Sequence, residues 1–214
     1  MRKVCLLFIL LVAGTSAFTV GHRDPVEDFW RWFRDHETQL LAVRTGGEPI
    51  ADELARVLHR VDSTLTWEFG PAVSGPREFV VSAGGIRAGF PSVERVVAAA
   101  PALSRWRVVK FRPRRPDVTL VRVDGVELDA RNVVFVAEPD GARVALTIAV
   151  PNYRVTPTKA YEQAVYLLLD GMLGEYTVET RVGGIAIIAA SDRRAAQWLP
   201  LTDVAKAVDA VAVR

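Results

Sequence analysis

The spacing of apolar residues changes period several times along this 214-residue chain, and each change marks an element. Val26, Phe29, Trp30, Phe33, Leu40 and Leu41 recur at intervals of three and four, which places them on one stripe of a helix over residues 26–44. Gly46-Gly47 ends that helix. Pro49, suited to a first turn, opens a second helix with Ile50, Leu54, Val57, Leu58 and Val61 on its apolar face. From Leu65 the period falls to two: Leu65, Trp67 and Phe69 alternate with polar neighbours, and with residues 78–83 they predict a pair of strands. Pro91 begins a third helix carrying Val93, Val96, Val97 and Ala100, and Pro101 stops it.

Between Trp106 and Val150 the pattern predicts strands at 106–112, 118–123, 131–138 and 142–150, with turns at Asp124-Gly125 and Pro139-Asp140-Gly141. Residues 158–173 read as a helix apolar almost all round, with Gly174 as its cap. A strand at 183–190 and a helix from Thr202 complete the chain. The expected fold is α+β: one antiparallel sheet of six or seven strands, with helices packed mainly on one face. No repeat or linker divides residues 18–214, so a single domain is expected there.

The first 17 residues change the picture. Arg2 and Lys3 precede an apolar run, Val4 to Ala13, that is too short to span a bilayer comfortably, and Gly14-Thr15-Ser16-Ala17 supplies small residues before Phe18. This predicts a signal peptide over 1–17 and a periplasmic or secreted chain without a membrane span. The competing reading is a retained anchor or a buried first helix. Cys5, the one cysteine, lies inside the apolar run, so the exported chain is expected to hold no thiol. Removing Arg2 and Lys3 from the 27 basic residues leaves 25 against 25 acidic ones, a balance that does not call for nucleic acid.

Candidate chemistry is sparse. His36-Glu37 starts like a helical zinc signature, but Leu40 stands where its second histidine belongs, so no metal and no cofactor is expected. The plainer reading stacks His36 on Trp32, one turn away. Ser82-Ala83-Gly84-Gly85 lacks the flanking glycines of a hydrolase nucleophile, although its amides could cradle an anion. The stretch from Lys110 to Arg115 is the one concentrated basic run, with Arg112 and Arg114 as anion-binding candidates against a reading as solvated charges at a strand end. Asp170 sits on the otherwise apolar helix and Glu175 follows it; each is either a tuned acid or a structural partner for an arginine or a loop.

The phrases Phe29-Trp30-Arg31-Trp32-Phe33-Arg34-Asp35-His36-Glu37, Leu65-Thr66-Trp67-Glu68-Phe69-Gly70-Pro71 and Leu169-Asp170-Gly171-Met172-Leu173-Gly174-Glu175 resemble a family of uncharacterised bacterial exported proteins. The resemblance covers most of the chain. It implies a bacterial source and one α+β unit, and it brings no activity. The expected function is therefore binding of a protein or small-molecule ligand, with Trp32, His36, Arg112, Arg114, Asp170 and Glu175 as the candidate contacts. The alternative is a periplasmic enzyme using acid–base chemistry around Asp170 and Glu175.

Overall fold

The computed structural model describes residues 23–70, 75–117, 119–153, 158–194 and 197–211. The signal-peptide reading, its cut before Phe18 and Cys5 lie outside that range. Asp24 accepts from the Val26 amide at 2.9 Å and starts α1 (Pro25–Asp35), which buries Val26, Phe29, Trp30 and Phe33. The single helix expected over 26–44 is two. His36 has left helical geometry (φ −109°, ψ 10°), and α2 (Glu37–Ala42) restarts after it. Apolar spacing runs through this kink because both short helices turn the same side to the core, burying Phe33 and Leu40 alike.

Next come α3 (Pro49–His59), β1 (Thr66–Phe69), β2 (Arg77–Ser82), α4 (Phe90–Ala98) and β3 (Trp106–Lys110). The two strands expected here form, and β1 pairs antiparallel with β2. β3, however, returns through α4 to lie parallel to β2, giving a three-stranded sheet of order β1-β2-β3. Parallel neighbours need such a crossover. Phe79 is the hub of this half, with its ring within 4.8 to 6.4 Å of those of Phe33, Phe69, Phe29, Trp30 and Trp106.

The second half opens on a separate hairpin, β4 (Leu120–Val123) and β5 (Val126–Asp129). Then follow β6 (Val134–Asp140), β7 (Arg143–Val150), α5 (Thr158–Leu173), α6 (Glu175–Arg181), β8 (Val182–Ala189), β9 (Leu199–Pro200) and α7 (Val204–Val211). The sheet order is β8-β7-β6-β9, with β8 parallel to β7. Val144, Leu146 and Ile148 are buried while Ala145 and Thr147 between them are half-buried, so β7 offers one face to Ala164, Val165, Leu168, Val204 and Val208 of α5 and α7.

The expected single antiparallel sheet is thus three sheets of three, two and four strands, two of them containing a parallel pair. A period of two reports that a strand has one apolar face but says nothing of its partner or direction. The two larger sheets repeat one plan: an antiparallel hairpin, a helical crossover, and a strand parallel to the hairpin's second member. Each half carries its own apolar core. Among the described residues no helix is long and apolar enough to cross a membrane.

Candidate functional site at the junction of the two halves

Where the halves meet, charged groups join the apolar packing. The chain leaves β3 at Phe111, held at φ 62°, and Phe90, Phe111 and Tyr176 form an aromatic trio across the seam with ring centroids 4.4 to 5.8 Å apart. Gly174, at φ 78°, lets α5 end and α6 begin at once. An added Cβ there would lie 3.3 Å from the Arg112 carbonyl oxygen and the Arg114 amide nitrogen, so the close approach and the positive φ both require glycine.

That turn drives Glu175 into the seam, where it is fully buried. Its Oε1 accepts from the amides of Ala83 (3.0 Å) and Gly85 (3.1 Å), and its Oε2 accepts from the Arg112 amide (3.1 Å). The Glu175 amide in turn donates to the Arg112 carbonyl at 3.0 Å. The Gly84-Gly85 turn does cradle an anion, and the anion is the protein's own. Ser82 is also buried, its hydroxyl accepting from the Gly84 amide at 2.9 Å, which leaves no exposed nucleophile there.

The basic stretch is consumed by internal pairing. Lys110 reaches Glu94, Arg114 forks onto Asp209 with two bonds of 2.8 Å, and Arg115 pairs with Glu78. Arg114 also donates to the Leu173 carbonyl at 2.8 Å, so it ties α7 to the end of α5. Arg112 bridges two carboxylates, Glu68 on β1 and Asp170 on α5, the latter at 3.4 Å. Burial works against the Arg112 charge, but Glu68, Asp170 and Glu175 outweigh it and raise its pKa. At Asp170 burial wins over the same pair: with only 13% of its side chain exposed, and Glu175 and Glu179 nearby, its pKa rises from the usual 3.8 to about 6.

These groups open onto a cleft of about 190 Å³. Its polar lining is Glu68, Arg112, Arg115 and Asp170, drawn from three segments distant in sequence; Pro113, Val121 and Leu167 supply apolar wall. Of the six residues singled out from sequence, the fold brings Arg112, Asp170 and Glu175 together, with Arg114 adjacent but turned toward Asp209. Glu68 and Glu78 were missed as contributors, because as isolated charges on strands nothing in their local pattern sets them apart; Arg115 belongs to the basic run, where no feature of the sequence favours it over Arg112 and Arg114.

Trp32 and His36 lie elsewhere, stacked at 4.4 Å with an interplanar angle of 21° on α1. Both are half-buried, and Trp32 helps line a groove of about 440 Å³ with Val57 and Arg60. Trp32→Ala should lower stability by about 1 kcal/mol, the scale of one aromatic pair, and leave any ligand of the junction cleft bound as before. Urea melts and a titration check this; a loss of cleft binding would show that the two places are coupled.

His36 bonds through Nδ1 to the Trp32 carbonyl at 2.8 Å, and Leu40 is fully buried. Among the described residues no group of three or more His, Cys, Asp or Glu is placed to hold a metal. Arg77, unmarked in the sequence reading, is buried and donates to the carbonyls of Gly70 and Val43 at 2.9 and 2.8 Å; with weaker bonds to Leu40 and Leu41 it closes the end of α2. No protein-family model matches the chain, and no curated protein or solved structure shows significant similarity to it, so the site is read from its own geometry.

Proposed function

We propose that this chain is an exported binding protein that takes a small polar ligand into the cleft between its two halves. One observation carries the reading: the cleft collects Glu68, Arg112, Arg115 and Asp170 from separate segments around an apolar wall. Export rests on the basic, short-apolar and small-residue order of residues 1–17. At about 190 Å³ the cleft has room for about six water molecules, so its ligand is small.

A second reading, acid–base chemistry, is favoured by the Asp170 carboxyl titrating at about 6. Glu175 does not supply its partner, because its carboxylate is buried and engaged by three amides. Binding therefore stands first.

The test is a ligand-observed NMR screen of polar fragments of a few heavy atoms against the wild type and Val121→Trp, whose indole would fill the cleft. Fragments that bind the first and not the second support the reading. A screen in which every hit survives Val121→Trp removes the cleft from consideration, and turnover of any fragment that Asp170→Asn abolishes moves the enzyme reading ahead.

A further inference from the structure

The charges lining the cleft fall into two groups of opposite surplus. Glu68 and Asp170 share the single guanidinium of Arg112, so with both acids ionised this group holds one negative charge in excess. Arg107 and Arg115 share the single carboxylate of Glu78, one on each oxygen, so that group holds one positive charge in excess. Both reach the same cleft, one through Glu68 and Asp170, the other through Arg115. The groups are open to a ligand in different degrees: the side chains of Glu68 and Arg115 are 45% and 35% exposed, whereas Arg112 is 20% exposed and held from two sides. Arg112 thus positions its acids, while Glu68 and Arg115 present charge to the cavity.

A ligand with a single charge meets this arrangement badly. A simple carboxylate that pairs with Arg115 lies beside the surplus negative group, and a simple amine that pairs with Glu68 lies beside the surplus positive one. Like-charge placement of this kind is a strong device for rejecting a ligand. A molecule carrying both charges a few bonds apart complements both surpluses at once. Pro113, Val121 and Leu167 then offer an apolar surface for the rest of it, and a cleft of about 190 Å³ suits a short side chain there.

We infer that the junction cleft recognises a compact zwitterion, a small apolar α-amino acid, with its carboxylate on Arg115 and its ammonium against Glu68 and Asp170. The inference rests on the reading of the cleft as a ligand site and adds the ligand's class. Arg115 offers a planar fork suited to a carboxylate. The ammonium's three donors suit two carboxylates on different elements.

Calorimetric titration with three probes of nearly equal size tests it: L-valine, 3-methylbutanoate, which lacks the ammonium, and 2-methylpropylamine, which lacks the carboxylate. L-Valine should bind at least about ten-fold more tightly than either, because each singly charged probe loses one ion pair and meets the like-charged surplus instead. Arg115→Ala should weaken L-valine about ten-fold and abolish its advantage over the amine; Glu68→Gln should do the same and abolish its advantage over the carboxylate. Both side chains are partly exposed, so the variants should fold, which circular dichroism checks. Equal binding of L-valine and either singly charged probe overturns the inference. So does a result in which none of the three binds while other fragments still require an open cleft, and in that case the cleft reading survives. If no fragment depends on the cleft, both fall.

Discussion

Glu175→Ala should lower folding stability by about 3–5 kcal/mol, because it strips the acceptor from three backbone amides at once, one buried and two part-buried, and an orphaned donor costs about 1–3 kcal/mol, the lower end where it is partly open to water. The amides belong to Ala83, Gly85 and Arg112, so the damage falls on both halves. The Ser82–Gly85 turn loses what holds it, and the segment leaving β3 loses its tie to α6. A domain with ordinary stability of about 5–15 kcal/mol would be left marginal. Glu175→Gln keeps the shape and one acceptor oxygen but turns an amide group toward a backbone donor, so it should fall between the two. Glu179→Ala, four residues on and half-buried at the same seam, is the control and should change stability by less than about 1 kcal/mol. Urea melts of the four proteins decide it; a Glu175→Ala loss below about 1 kcal/mol would mean that water replaces the carboxylate at no penalty.

The same residue shows where sequence reading reached its limit. Glu175 and the Gly84-Gly85 turn each drew attention separately, one as an acid near a buried helix, the other as an anion cradle. Only the fold shows that they bind each other across 90 positions. Local signals were legible because they are local: Pro49 and Pro91 in first helical turns, Gly174 at the end of α5, and the existence of strands β1 and β2 all follow from residues within a few positions. Strand partners were not. β2 with β3 and β7 with β8 are joined through crossovers, and alternation alone looks the same in a meander. α6 was overlooked because Glu175–Arg181 is seven residues of mixed polarity, too short to show a stripe. The basic run from Lys110 was read correctly as charge and incompletely as geometry: its acids arrive from β1, β2, α4, α5 and α7.

Asp170→Asn should make the protein more stable at pH 7.5, by about 1–3 kcal/mol, with the difference vanishing near pH 4. The unfolded carboxyl titrates near 3.8 and the folded one at about 6, so between these values the folded protein retains a proton that the unfolded chain has released. Stability therefore falls as pH rises through that window, and above about 6 the whole penalty is present; two units at 1.36 kcal/mol each set an upper bound of about 3 kcal/mol. The groups facing Asp170 act in both directions: Arg112 favours its charge, while Glu175 and Glu179 of α6 oppose it, and burial opposes it most. Urea melts at pH 4, 6 and 7.5 check the sign. Loss of stability in Asp170→Asn at pH 7.5 would show that the Arg112 pair outweighs burial. A stabilising loss of an acid is what distinguishes a group kept for its ligand from one kept for the fold, since neutral asparagine would serve the fold better. The ligand's ammonium requires the ionised form, so L-valine should bind more weakly as pH falls below about 6, and Asp170→Asn should weaken it at pH 7.5 by a margin that fades as pH falls below about 6. An asparagine variant that is more stable and binds L-valine undiminished would leave the acid without either role, and the amine side of the cleft would then rest on Glu68 alone.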